Sequence, residues 1–231
     1  MSAELIVLGV YLLAYCCLHS WLASLSCKQW VARRWPVQMH YYRLLFNLSA
    51  VLLLLPVALL LWRNAGPDLW QWQGLSAWLI NGLALAAVLA FLYSLRDYDL
   101  SQFSGSAQLR NHTADRDPEG QAKLHIGWWH RRVRHPWYFF ALVILWTRQM
   151  DMAHLLSYSI FTLYFVVGSR LEERKLKLQF GEAYRHYCHQ VPGLIPLPWR
   201  SLSESQAQEI EQLANDFNST NTNTNSDQQG V

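Results

Sequence analysis

The stretch "LIVLGVYLLAYCCLHSWLASL", residues Leu5–Leu25, contains no Asp, Glu, Lys or Arg. At 1.5 Å per residue a helix of this length covers about 31 Å, enough to cross the hydrocarbon core of a bilayer. Glu4 is the only charge before Lys28, so the start is acidic and the apolar core is long. A cleaved signal peptide has a basic start and a shorter core, and the segment therefore predicts an uncleaved first helix. Composition agrees along the whole chain: of 231 residues 52% are hydrophobic, 15% are charged and twelve are tryptophan. That balance excludes an ordinary water-soluble domain.

Two further charge-free runs, Leu44–Trp62 and Leu75–Leu95, predict the second and third spans. After Pro136 about ten apolar residues precede Arg148, Asp151 and His154, and Leu155–Gly168 is apolar again. This pattern predicts a tight hairpin of two short arms. The expected fold is all-α: an integral membrane helical bundle of about five transmembrane helices plus a cytoplasmic amphipathic C-terminal helix. Basic loops stay on the cytoplasmic side. Lys28, Arg33 and Arg34 follow the first span, a loop containing Arg96, Arg110, Arg116, Lys123, Arg131, Arg132 and Arg134 follows the third, and Arg170–Lys177 follows the fifth. The loop after the second span and the hairpin tip are poor in Lys and Arg. The N-terminus is thus expected outside and the C-terminus in the cytoplasm, with a bacterial inner membrane as the location and membrane lipid as a partner. The formal net charge of +3 reflects this sidedness and forms no stripe, so no nucleic-acid partner is expected.

Residues 1–199 are read as one transmembrane domain and 200–231 as a polar tail, disordered from about residue 218, where "NSTNTNTNSDQQGV" is almost without apolar side chains. The four cysteines fit no disulfide or zinc spacing, and His186, Cys188 and His189 do not have the spacing of a closed site, so no metal is expected. Between Leu171 and Val191, the residues Leu176, Phe180, Tyr184, Tyr187 and Val191 recur at three- and four-residue steps and form an apolar helical face. Glu172 and Glu173 stand one turn before it. They either pair with Lys175 and Lys177 at helical spacing, a weak surface interaction, or serve a site.

The predicted topology favours a site. His19 falls near the inner end of span one, Arg43 and Asn47 share a face at the start of span two, and Arg96, Asp97 and Asp99 close span three. Arg134, His135, Glu172 and Glu173 reach the same membrane face. Ionisable groups converging at one level of a membrane protein mark a functional chamber more often than packing.

The phrases "RVRHPWY" and "EERKLKLQFGEAYRHYCHQVPGLIP", with "LHSWLAS", "YYRLLFN" and "YDLSQFSG" before them, resemble the isoprenylcysteine carboxyl methyltransferase superfamily, and within it the branch containing methanethiol S-methyltransferases and NnrU-like proteins. The resemblance runs over most of residues 12–198. It departs at "GWWHRRVRHP" and at "FSGSAQ", where the branch reads "FLGLRQ". It implies a membrane-embedded methyltransferase using S-adenosyl-L-methionine, with the cofactor part at about 125–199. It further implies that His135, Pro136 and Tyr138 form one wall of the cofactor pocket and Glu172 and Glu173 the other, and Tyr184 is expected to bind the cofactor with them. Asn47 and Tyr98 are expected to bind the acceptor, and Arg43, Arg134 and His19 to assist catalysis by stabilising its thiolate. No glycine-rich strand-to-helix loop competes for the cofactor. The implied reaction is S-methylation of a small thiol such as methanethiol. O-methylation of an isoprenylated or lipid carboxylate stays open, as does a non-enzymatic NnrU-like accessory role in nitrogen-oxide metabolism.

Overall fold

The computed structural model describes residues 3–111 and 123–228, and Arg116, counted above among the basic loop residues, lies outside them. In chain order the helices are α1 (Ala3–Ala23), α2 (Leu25–Arg34), α3 (Tyr42–Arg63), α4 (Gly74–Ser94), α5 (Leu100–Ser104), α6 (Ser106–Asn111), α7 (Pro136–Trp146), α8 (Met152–Gln190) and α9 (Glu204–Gln228). Short 3-10 turns lead into α3 and out of α4. The described residues contain no strand, only one isolated antiparallel bridge between Trp70 and Met150.

Four of these helices, α1, α3, α4 and α8, are long and apolar enough to cross a membrane. In α3 only 6% of the apolar window is buried, and near the ends of α3 and α4 Trp62 and Trp78 are 77% and 81% exposed. Continuous apolar surface of that extent is stable against lipid and not against water. The chain is an integral membrane protein. Of the five predicted spans the fourth differs: α7 has 11 residues and rises about 16 Å, roughly half the hydrocarbon thickness. Polar residues stop it. Thr147 and Asp151 are buried, the Leu69 N–H donates to the Met150 carbonyl at 2.7 Å, and Asp151 accepts the His154 N–H at 2.8 Å. That last bond is an N-cap, and it starts α8 afresh.

The chain divides into two compact units, Met1–Arg116 with Ile144–Tyr164 and Asp117–Val143 with Phe165–Val231, where the sequence suggested one domain over residues 1–199. In the first unit Leu8 and Leu12 of α1, Val57 of α3 and Ala153 of α8 form a buried cluster. Tyr11 reinforces it by donating its hydroxyl to the Leu53 carbonyl at 2.9 Å.

The second unit is built on the apolar face expected from the sequence. Phe180, Tyr184, Tyr187 and Val191 are buried together with Ile126, Leu202, Ala207, Ile210 and Ala214. The last three belong to α9, which runs to Gln228 through the segment whose composition suggested a tail disordered from about residue 218. Its start carries a reciprocal cap: Ser203 accepts the Gln206 N–H, and the Gln206 side chain accepts the Ser203 N–H. Such a capping box in front of apolar residues at three- and four-residue spacing is a sequence-level helix signal, and averaging over the polar tail conceals it. Inside α8, Gly181 breaks the helical path at φ +59°, ψ −138°.

Candidate methyl-donor site

The site of the second unit grows from a backbone pairing. The Arg134 N–H donates to the Pro192 carbonyl at 2.9 Å and the His135 N–H to the Gly193 carbonyl at 3.0 Å. Pro136, buried, then opens α7, as suits a residue with no N–H to leave unsatisfied at the first helical position. Two consecutive side chains are thereby aimed at α8, where Glu172 and Glu173 wait.

Glu173 is the hub. Its Oε1 accepts from Arg134 Nε at 2.9 Å and Nη2 at 2.6 Å, and from His135 Nε2 at 3.1 Å. Lys177 Nζ stands 3.9 Å from Oε2, one turn further on. The Glu173, Arg134 and His135 side chains are 12%, 11% and 6% exposed, so this is a buried charge network whose members depend on one another. The remaining Arg134 donors bind the chain itself: Nη1 donates to the Cys188 carbonyl at 2.9 Å and also to that of Val191. Arg134, expected to assist catalysis, is held as a clamp between residues 188–193 and α8. A Cβ on Gly193 would sit 3.2 Å from Arg134 Nη2 and 3.5 Å from Glu173 Oε1, so a side chain there would press on the clamp.

His135 is squeezed between carboxylates, with Nδ1 3.4 Å from Glu172 Oε2. Burial alone would push its pKa down, but the bonds to Glu172 and Glu173 and their charges outweigh it and raise the pKa above the ordinary histidine value. The His135 ring stacks on Tyr138 (5.4 Å, 9°), and Tyr138 stacks on Phe165 (5.0 Å, 14°). Glu172 differs from its neighbour: its side chain is 50% exposed. Tyr184 is 2% exposed and packs in the core, which places its ring behind the site as support.

Arg134, His135, Pro136, Tyr138, Glu172 and Glu173 are thus brought together. His19, Arg43, Asn47 and Tyr98 belong to the first unit. There His19 Nδ1 lies 2.9 Å from the Tyr164 hydroxyl and its ring packs on Phe46 at 4.9 Å. The Asn47 amide donates to the Phe103 and Ser104 carbonyls at 2.9 and 3.4 Å, joining α5 to α3. Arg43, at the start of α3, lies against Gly105, where a Cβ would come 3.2 Å from that of Arg43. Tyr98 is 37% exposed. The sequence did not reveal Tyr164, the partner of His19, because no local pattern links residues so far apart. Gly193 was readable in "VPGLIP", a turn signal. Among the described residues no group of three or more His, Cys, Asp or Glu could hold a metal ion.

The residues fit a methyl donor of the S-adenosyl-L-methionine type. A half-exposed carboxylate beside a buried cationic pair and a stacked aromatic column offers an acceptor for ammonium or hydroxyl groups and π faces for a sulfonium. No family model matches the chain, and no solved structure matches it. Curated relatives do match. Methanethiol S-methyltransferase 2 of Bradyrhizobium diazoefficiens is 31% identical over 181 residues, covering 77% of this chain and 68% of the relative. The methanethiol S-methyltransferase of a Pseudomonas species is 31% identical over 185 residues, with coverage of 77% and 68%. That of Mycobacterium tuberculosis is 30% identical over 206 residues, 85% of this chain and 78% of its own.

Proposed function

The chain belongs to the methanethiol S-methyltransferase family, within the isoprenylcysteine carboxyl methyltransferase-like group, and from that premise we propose that it transfers a methyl group from S-adenosyl-L-methionine to a small thiol. The observation that carries the proposal is the Arg134–His135–Glu172–Glu173 cluster at the start of α7, set on the two motifs by which the sequence resembles the family.

When bound, S-adenosyl-L-methionine supplies a methyl group on a sulfonium cation. Glu172, half-exposed beyond its contact with His135, is the carboxylate for the donor's ammonium or ribose hydroxyls, and Tyr138 is the aromatic wall. Glu173 holds Arg134 and His135, and through them the N-terminus of α7, so that the wall does not move. For the acceptor, a thiol must reach its thiolate form, and positive or hydrogen-bonding groups favour that form. Arg43 and His19 are proposed for this role, with Tyr164 fixing the His19 ring. Asn47 and Tyr98 are proposed to shape the acceptor's surroundings. Attack on a methyl carbon asks for alignment more than for covalent help, so positioning supplies much of the rate. The basic loops support a reading in which the site faces the cytoplasmic side of an inner membrane.

The test is methyl transfer by purified full-length protein from methyl-labelled S-adenosyl-L-methionine, with methanethiol offered beside an isoprenylated cysteine carboxylate. Labelled thioether is the expected product. Labelled ester alone would move the acceptor to the carboxylate class, and no transfer together with no binding of S-adenosylhomocysteine would overturn the assignment.

A further inference from the structure

A cavity of about 490 Å³ lies wholly within the first unit. It is formed by the α3–α4 loop, the α7–α8 loop and the adjoining helix turns, and its polar lining includes Asp68, Trp72, Arg148, Asp151, His154 and Tyr158. A hydrocarbon cavity of about 150 Å³ holds benzene, so there is room here for a metabolite of some ten heavy atoms. The walls are fixed. Met150, fully buried, exchanges backbone hydrogen bonds with Trp70 at 3.2 and 3.3 Å, which stitches the two loops together.

The charges around this cavity are matched unevenly. Asp151 is 4% exposed, and its Oδ1 accepts both the backbone N–H and Nδ1–H of His154 at 2.8 Å. Burial works against its charge, but those bonds hold its carboxyl below the usual range, so it is satisfied within the wall. Arg148 is half-buried, and among the described residues its guanidinium hydrogen-bonds only the Thr147 hydroxyl, at 3.4 Å. Its Nε is out of reach of water and has no partner, and the same holds for Trp72 Nε1. Asp68 accepts from the neutral Gln71 amide. Neither Arg148 nor Asp68 meets an opposite charge among the described residues.

We propose that this cavity is a binding site for a small zwitterion of the amino-acid type, its carboxylate on Arg148 and its ammonium on Asp68. A simple anion would leave Asp68 facing it, and a simple cation would face Arg148. A molecule carrying both signs complements both groups, and Trp72 and Tyr158 in the lining offer apolar surface to its side chain. The site is separate from the methyl-donor cluster in residues and in unit.

The test uses purified full-length protein in detergent, screened for thermal stabilisation by each of the twenty L-amino acids and by glycine betaine. The best binder is then measured in equilibrium binding against its two half-molecules, the acid lacking the amine and the amine lacking the acid. The zwitterion is expected to bind saturably and at least about tenfold more tightly than either half, as loss of one charge-assisted bond implies. Arg148→Gln should abolish the preference over the amine, and Asp68→Asn the preference over the acid. Methyl transfer by Asp68→Asn should match the parent. No saturable binding of any of these compounds, or binding equal in the parent and in Asp68→Asn, overturns the proposal. Asp68 is exposed, so its variant decides the matter even if Arg148→Gln fails to fold.

Discussion

One carboxylate oxygen, Glu173 Oε1, receives donors from both Arg134 and His135, and its replacement should be felt far more than that of its neighbour. Removing one member of a buried ion cluster costs about 3–5 kcal/mol. Glu173→Gln should therefore lower the melting temperature of the purified protein sharply, and Glu172→Gln, at a half-exposed position, should cost under about 1 kcal/mol. Equal melting temperatures in the two variants would show that Glu173 is not the hub. If Glu172 holds the donor's ammonium or hydroxyl groups, that same mild variant should still weaken S-adenosylhomocysteine binding about tenfold or more, which calorimetric titration reads directly. His135 makes stability pH-dependent with a definite sign. Its folded pKa is raised above an unfolded value of about 6.5, so the folded state binds more protons. The contribution is complete below that unfolded value and is lost as pH rises through the folded one. Melting temperature should fall over that window in the parent and lose this component in His135→Gln. The sequence made "RHP" and "EE" legible as a pair of partners, because helical spacing and a proline-started helix restrict where they point. It did not disclose that Arg134 is absorbed by the carbonyls of Cys188 and Val191, since carbonyl positions follow from the turn at Pro192–Gly193 and not from residue type.

At the level of elements, α9 is the surprise. Besides Ala207, Ile210 and Ala214 in the core, its Asn215 amide pairs with the Leu124 backbone, accepting the N–H at 2.7 Å and donating to the carbonyl at 3.3 Å. Glu211 accepts the Ile126 N–H, and the Leu202 N–H donates to the Arg131 carbonyl at 2.9 Å. These bonds secure the segment that leads to Arg134 and His135. Deleting residues 204–231 should therefore expose the Phe180–Val191 face and abolish S-adenosylhomocysteine binding, whereas a polar tail without packing would be dispensable. Gly181 allows a finer test. A Cβ there would sit 2.9 Å from the Phe217 ring on a backbone at φ +59°, ψ −138°, a region almost confined to glycine that costs a side chain about 1–3 kcal/mol. Gly181→Ala should be destabilising, Phe217→Ala should relieve only the clash, and the double variant's melting temperature should separate the two parts. The amphipathic face of α8 was legible from its spacing. Its partner was not, because only a few small apolar residues in a polar segment mark α9, and their meaning lies in what they touch.

For the molecule as a whole, the apolar runs settled the class and nearly all span boundaries, because a bilayer imposes length and polarity on every crossing. They also gave α7 as a short arm, 11 residues long, but its apolar composition says nothing about the bridge that ends it. Sidedness is open to direct measurement. Cysteine reporters at Asp68 and at the exposed Gln149 should label from outside intact cells, and one at Glu204 only after permeabilisation. Labelling of residues 68 and 204 from the same side would refute the proposed orientation. Gln149 is the better probe of the hairpin tip, since Asp151 is buried in its cap.

The exposed indoles of Trp62 and Trp78 flank the same short loop, one near the end of α3 and the other just inside α4. Indoles settle at the headgroup level, so this pair fixes the depth at which α3 and α4 meet the bilayer surface. With 22 residues, α3 is about 33 Å long, slightly more than the hydrocarbon it crosses. A thinner bilayer is then met by tilting the helices and not by sinking the indoles. The dependence of methyl transfer on lipid chain length, measured in vesicles of graded thickness, is thereby placed under the control of two side chains that no chemical step uses.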